Sequence, residues 1–182
     1  MNATAVPGKP APELSVARWM QGAPVSLQQL LGSVVLVEVF QVNCPGCFVH
    51  ALPEAQRLHQ RYREQGLQVL GLATAFEDFD NNTEANLQRL LQQGELVGAP
   101  LAQLGKAGLL QQGRLDYRLE FPVAMDELIT CSPDTSSDAV RSFILDQIPE
   151  FDSLDEDRRA IIIHRARDYL ATRTQIPQTF TD

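Results

Sequence analysis

Val34-Val35-Leu36-Val37-Glu38-Val39-Phe40-Gln41-Val42-Asn43-Cys44-Pro45-Gly46-Cys47 is the stretch that decides the fold. Residues 34 to 40 are nearly continuously apolar and mostly β-branched, which predicts a strand buried on both faces of a sheet. From Pro45 to about Gln65 the pattern turns helical, with Phe48, Ala51, Leu52, Ala55, Leu58 and Tyr62 on one face at spacings of three and four. Two cysteines in a C-x-x-C spacing, set between that strand and that helix, have the layout of a thiol-disulfide exchange site rather than of a structural bridge.

The reading extends in both directions from the dithiol. Downstream, Pro53 should kink the helix about two turns in. Gly66 ends it, and Leu67-Gln68-Val69-Leu70-Gly71-Leu72-Ala73 predicts a second buried strand, which makes a βαβ unit with parallel strands. A polar loop from Glu77 to Asn82 leads to a capping signal at Thr83 and a helix through about Gln93. Another helix is expected near 101–112, and Phe121-Pro122-Val123-Ala124-Met125 predicts a short third strand. Upstream, Pro7, Pro10 and Pro12 keep an opening segment extended, and Gly22-Ala23-Pro24 reads as a turn. Ser26 then offers a cap for a short helix, Leu27–Leu31, that Gly32 stops.

Residues 126–175 depart from this alternation. They begin with a Ser/Thr/Asp/Pro-rich loop around Cys131, continue with an amphipathic segment from Ala139 to Ile148, and give a long helical pattern from Leu154 to about Thr172. Ile162, Ala166, Tyr169 and Leu170 form its expected buried stripe, and Asp155, Glu156 and Asp157 suit the positive end of its dipole. The expected organisation is an α/β core over 7–125 carrying the C-x-x-C, a helical insertion over 126–175, and a C-terminal remnant of the core over 176–182.

Composition limits what the dithiol can serve. A chain of 182 residues with 44% hydrophobic content can bury one proper core. Its formal net charge is -8, with no run of Lys or Arg to form a basic face, so nucleic acid and anionic membrane surfaces are not expected partners. No stretch approaches the ~18 apolar residues of a membrane span, and the N-terminus lacks a charged start followed by an apolar core. The chain reads as soluble and cytoplasmic. Three cysteines are too few for a disulfide scaffold, so a reactive pair and one bystander, Cys131, is the simplest account.

A strand running into a helix places Cys44 at the helix N-terminus, where free N–H groups and the dipole favour a thiolate. Cys44 is therefore the expected nucleophile. Cys47 lies one turn inward, placed to attack a mixed disulfide at Cys44 and expel the substrate thiol. Pro45 takes the first helical position at little cost, and Gly46 leaves the turn open to an incoming disulfide.

With the Pro-kinked helix behind it and Ala11-Pro12-Glu13-Leu14 before it, Val34–Cys47 resembles the thioredoxin-like redoxins, specifically the TlpA and AhpC/TSA group of thiol-disulfide oxidoreductases, over roughly residues 7–125. The resemblance implies a thioredoxin-like fold, a central mixed sheet flanked by helices. It also implies that Glu38, six residues before Cys44, is the buried acid that assists deprotonation of the second cysteine; the bland alternative is an edge-facing or paired carboxylate. The chain departs from the family at several points. Pro45-Gly46 reverses the usual Gly-Pro order, Phe40 and Asn43 stand where tryptophans are common, and Pro53 falls one residue late. Ile176-Pro177-Gln178-Thr179-Phe180 partly resembles the family's cis-proline segment, but only two residues follow it. The expectation is that Pro177 opens a helix and that the closing strands are missing, which exposes a central strand's edge and invites self-association.

The expected function is therefore a thiol-disulfide oxidoreductase acting on a protein or small-molecule disulfide, with an external thiol reductant and no cofactor. Two alternatives stand beside it. One is a catalytically impaired, truncated thioredoxin-fold binding module. The other is a metal-binding module built on Cys44, Cys47 and His50 at one-turn spacings. Gln41, three residues before Cys44, breaks the peroxidatic signature. Cys131 reads as an incidental thiol or a regulatory one, His59 and His164 as surface or boundary residues, and Phe76 and Glu77 as residues bordering the site at a strand's carboxyl edge.

Overall fold

Four strands form a sheet in the order β1-β4-β3-β2: β1 is Val16–Gln21, β2 Val34–Phe40, β3 Leu67–Ala73 and β4 Val123–Asp126. These come from a computed structural model that describes residues 8–179. β2, β3 and β4 run parallel, with Val34 opposite Leu67, Phe40 opposite Ala73, and Gly71 opposite Val123. β1 pairs antiparallel with β4 through two irregularities in register. The parallel βαβ reading of residues 34–73 holds, because the helix between the strands turns one apolar face to the sheet and leaves Glu54 and Arg57 in solvent.

Why β3 is central follows from its residues. Val69 through Ala73 are all buried, as a strand covered on both faces requires. Gly71 lets the layers close on it: a Cβ there would meet Phe121 at 3.0 Å and Val123 at 3.1 Å. Helix α1, Leu52–Tyr62, buries Leu52, Ala55 and Gln56, and α2, Glu84–Gln93, buries Leu87 and Leu90. With Phe40, Val42, Phe48 and Phe121 they make one continuous core. Thr83 caps α2 by accepting the Asn86 amide, as its sequence signal predicts.

The structure corrects several expectations. β2 is not buried on both faces; it is an edge strand with Val34 70% exposed and Val35 to Glu38 only half-buried, because among the described residues no strand pairs with its outer side. β1 lies within the opening segment, from which the sequence predicts extended chain but no strand, because Arg18 and Gln21 interrupt any apolar alternation. Helix α3 is Gly98–Lys106, earlier and shorter than 101–112, since Gly108 takes a left-handed conformation and breaks the pattern before Leu109. The short helix near Leu27 is a single 3-10 turn, Gln28–Leu30, with Ser26 Oγ accepting the Gln29 amide.

After Asp126 the chain runs through β5, Leu128–Thr130, which pairs with β6, Gln175–Pro177, as a separate two-stranded sheet. Thr130–Ile176 forms a compact unit of its own. It holds α4, Ser137–Gln147, and α5, Glu156–Ala171, around a small core of Val140, Ile144, Phe151 and Ala166. Phe143 stacks on Tyr169 at 5.3 Å between ring centroids. Ser136 and Asp155 cap the two helices, so Asp155 does more than complement a dipole: its carboxylate accepts the Arg158 amide at 2.9 Å. Pro177 does not open a helix. It is buried at the end of β6, and among the described residues no peptide bond is cis.

Candidate active site

The carboxyl ends of β2, β3 and β4 lie along one edge of the sheet, and the dithiol stands on the turn that leaves β2. The Cys44 amide donates to the Gln41 carbonyl at 3.1 Å, a tight turn that carries the chain from strand into helix. The Cys47 amide then donates both to the Cys44 carbonyl at 3.2 Å and to Cys44 Sγ at 3.3 Å. An N–H of the first helical turn, shared with the Cys44 carbonyl, thus reaches the first sulfur, and it is a donor that a thiolate there would accept. The two side chains are half-buried, free thiols within hydrogen-bonding reach of each other.

The second sulfur has a different environment. Burial pushes the Cys47 thiol up from its ordinary 9.0 to about 12, with the adjacent Cys44 side chain and the Glu38 charge acting in the same direction; the Gln41 amide opposes them. Glu38 shares the β2 face of Leu36 and Phe40 by strand alternation, the face turned to the core. Its own carboxyl is raised by burial, so it holds a proton more tightly than a solvated glutamate. Glu38 and Cys47 are thus near enough for the carboxylate to weigh on the thiol.

Behind Cys47 the helix opens into a π turn, Cys47–Ala51, before continuing as α1. Its cause is Pro53. In a regular α-helix the Pro53 ring would press on the Val49 carbonyl, and its missing N–H would leave a gap in the ladder. The wider turn, in which the Leu52 amide bonds Cys47 O, moves that gap to the Phe48 carbonyl, whose five-residue partner would be Pro53 itself. The Tyr117 hydroxyl fills the gap, donating to Phe48 O at 2.9 Å. Burial, followed by the Asp116 and Cys47 charges, pushes the Tyr117 phenol above its ordinary 10.0 and keeps it a donor. The kink read from Pro53 is therefore a widened turn, and it accommodates the one-residue delay of that proline.

Three residues around the dithiol were not read as functional and shape it most directly. Gln41 Oε1 accepts the Phe76 amide at 2.9 Å, and Asn82 Oδ1 accepts the Asn43 amide at 2.9 Å. Asn43 Oδ1 accepts the Ala99 amide at 2.8 Å, capping α3 from another part of the chain, while its Nδ2 donates to Asp78. A Cβ on Gly98 would collide with this Asn43 oxygen, and Gly98 sits at φ +53. Asp78 also adopts a left-handed backbone, φ 50, the kind of strain that costs ~1–3 kcal/mol and needs such bonds to persist. Phe76 and Glu77 thus border the site through their backbone, held by Gln41. No local sequence signal marks Gln41 or Asn43, since both bind residues more than thirty positions away.

Another acid, Asp126, sits at the same sheet edge. Fully buried at the end of β4, it accepts the Thr74 hydroxyl at 2.7 Å and the Thr179 amide at 3.2 Å. It ties the returning chain beside β4, where Gln178 N also reaches Glu127 O at 2.9 Å. His50 is exposed, and among the described residues no group of three or more His, Cys, Asp or Glu side chains is placed to hold a metal ion, so Cys44, Cys47 and His50 do not converge as ligands. The Cys131 thiol donates to Arg173 O at 3.3 Å. His164 is exposed beside Asp168, and His59 lies against Phe121. Among the described residues no helix is long and apolar enough to cross a membrane.

Residues 7–180 match the profile of the AhpC/TSA family. Over 70 residues the chain is 33% identical to Protein FixW of Rhizobium leguminosarum, a stretch that covers 38% of this chain and 31% of that protein. Among solved structures, a thiol-disulfide isomerase from Corynebacterium glutamicum is 33% identical with a TM-score of 0.47, covering 66% of this chain and 64% of that one. A thioredoxin-like superfamily protein is 30% identical with a TM-score of 0.45, covering 64% and 62%. The chain spans less than a third of the curated relative and a little under two thirds of each structure. The chain belongs to the AhpC/TSA family.

Proposed function

We propose that this AhpC/TSA family member is a thiol-disulfide oxidoreductase that works through Cys44 and Cys47. The observation that carries the reading is the amide of Cys47 aimed at Cys44 Sγ at 3.3 Å with the Cys47 thiol alongside. A structural thiol has no need of that donor, whereas a thiolate nucleophile does. In the forward direction the Cys44 thiolate attacks one sulfur of a substrate disulfide, forming a mixed disulfide and releasing the first substrate thiolate. Cys47 then gives its proton to Glu38 and attacks Cys44 Sγ. The second substrate thiolate leaves and takes up a proton, and the Cys44–Cys47 disulfide holds the oxidation. An external dithiol or two glutathione molecules return the pair to the reduced state.

Glu38 supplies what the second step lacks. A thiol held at about 12 is almost fully protonated at neutral pH, and a carboxylate with raised proton affinity beside it is the local acceptor. We place the protein in the cytoplasm, where a reducing thiol pool would restore the pair. Cys47→Ser tests the assignment: it should accumulate a covalent adduct with a peptide disulfide at Cys44, seen by peptide mass mapping. An adduct at Cys131 instead, or none at all, leaves a binding module without exchange chemistry.

A further inference from the structure

One helical turn beyond the dithiol, a groove of about 400 Å³ opens between the widened turn and the loop that follows α3. Phe48, Val49 and Pro53 form one wall, and Leu109, Leu110 and Tyr117 belong to the other. Val49 is 40% and Leu109 51% exposed, so the lining presents apolar side chains together to solvent. The volume lies within the ~300–1,000 Å³ range of ligand pockets. Its lining contains one charged group, Asp116, and no cation.

Two features argue that this groove belongs to the redox cycle. The same π turn that follows Cys47 makes its wall, so the groove's position relative to the sulfur is fixed by one rigid element. Tyr117 links its two sides by donating to the Phe48 carbonyl freed by Pro53, so the groove is braced open rather than left as a packing fault. Val49 and Pro53 follow Cys44 by five and nine residues, at most about 7.5 and 13.5 Å at the ~1.5 Å per residue of an α-helix, since the π turn shortens the rise. An extended peptide covers that span in roughly two to four residues.

Resting on the exchange reading above, we infer that the groove takes a bulky apolar side chain of a polypeptide substrate, two to four residues from the substrate's disulfide-bonded cysteine. Apolar walls supply the affinity. Asp116 and the formal net charge of -8 select against an acidic residue beside that side chain and favour a neutral or basic one. The protein is thereby a reductant of protein or peptide disulfides exposed in apolar segments, rather than of small hydrophilic disulfides alone.

The test compares synthetic decapeptides, each with one cysteine as its mixed disulfide with 2-mercaptoethanol, carrying either Leu or Ser three residues from the cysteine, with glutathione disulfide as a third probe. Burial of one leucine predicts a kcat/KM ratio of about ten to a hundred for Leu over Ser. Leu109→Asp should bring that ratio to within about twofold of one, while Leu109→Met keeps it. Placing Glu beside the Leu should lower the rate, and Asp116→Asn should relieve that loss. Exchange with glutathione disulfide but no Leu preference in the wild type overturns the groove and leaves the exchange reading intact. No exchange with any probe overturns both. A wild type that light scattering shows to be a dimer and a Leu109→Asp variant that is a monomer would give the groove to a second copy and overturn the proposal.

Discussion

Replacing Glu38 by Gln isolates the second chemical step. At pH 7 a thiol at its ordinary 9.0 is ~1% thiolate, and one at about 12 is ~0.001%, a thousandfold less. The more basic thiolate is also the better nucleophile. With a Brønsted slope of ~0.4–0.5, three units return roughly twentyfold, so a Cys47 without help should close the mixed disulfide about fiftyfold more slowly than a solvated thiol. Glu38 is the group beside it with raised proton affinity, and Glu38→Gln keeps the shape while removing that acceptor. In stopped flow with 5,5′-dithiobis(2-nitrobenzoate), Cys44 attack releases one chromophore and Cys47 closure the second. The first phase should change less than about threefold and the second should slow by about fiftyfold or more. Its remaining rate should rise about tenfold per pH unit from 7 to 9, since hydroxide must then do the deprotonation. A second phase as fast as the wild type's, with an unchanged pH profile, would refute the relay.

The same substitution has a stability signature. Because burial raises the Glu38 pKa in the folded state, the native protein holds that proton more tightly than the unfolded chain; the stabilisation is present at pH below about 4 and is lost as pH rises through the folded value. Glu38→Gln should therefore be more stable than the wild type to urea at pH 7.5, by under about 1 kcal/mol because solvent reaches the group, and equal to it near pH 3.5; equal midpoints at both values would contradict the shift. Tyr117→Phe removes the donor to the Phe48 carbonyl and should cost about 1–3 kcal/mol in urea unfolding at pH 7, against no loss if the π turn needs no lock. Gly71→Ala puts a methyl within 3.0–3.1 Å of Phe121 and Val123 in the central strand; thermal melting should show a loss of about 1–3 kcal/mol, and a neutral change would mean the layers have room to part.

How much of this was legible depended on the range of the forces involved. The βαβ unit could be read because its signals are local: β-branched runs at 34–40 and 67–73, a helical stripe between them, and Gly66 at φ 93 to end it. The dithiol's place between strand and helix came from the same pattern. β1 was missed because its pairing partner, β4, lies about a hundred residues away and only that ladder makes Val16–Gln21 a strand. The half-exposure of β2 was hidden for the opposite reason, since an apolar run looks the same at an edge as in the middle of a sheet.

At the site, the residue types that carry chemistry announced themselves and those that position them did not. Pro53 signalled a distortion, yet only the structure shows it as a widened turn braced by Tyr117. Gln41 and Asn43 gain their roles from bonds to Phe76, Asn82 and Ala99, contacts set by how three loops meet at the sheet's carboxyl edge. Asp126 at the end of an apolar strand drew no reading from the sequence, and its partners Thr74 and Thr179 could be found only through the fold.

The central claim is that Cys44 and Cys47 form a reversible redox couple. Equilibration of a Cys131→Ser protein across glutathione ratios, followed by alkylation and mass measurement, tests it most directly. The account predicts a single two-electron transition between the fully reduced chain and one carrying a Cys44–Cys47 disulfide, at about -270 to -120 mV with a slope near 30 mV per decade. Two free thiols at every ratio, or glutathione adducts that never resolve to the internal disulfide, would contradict it.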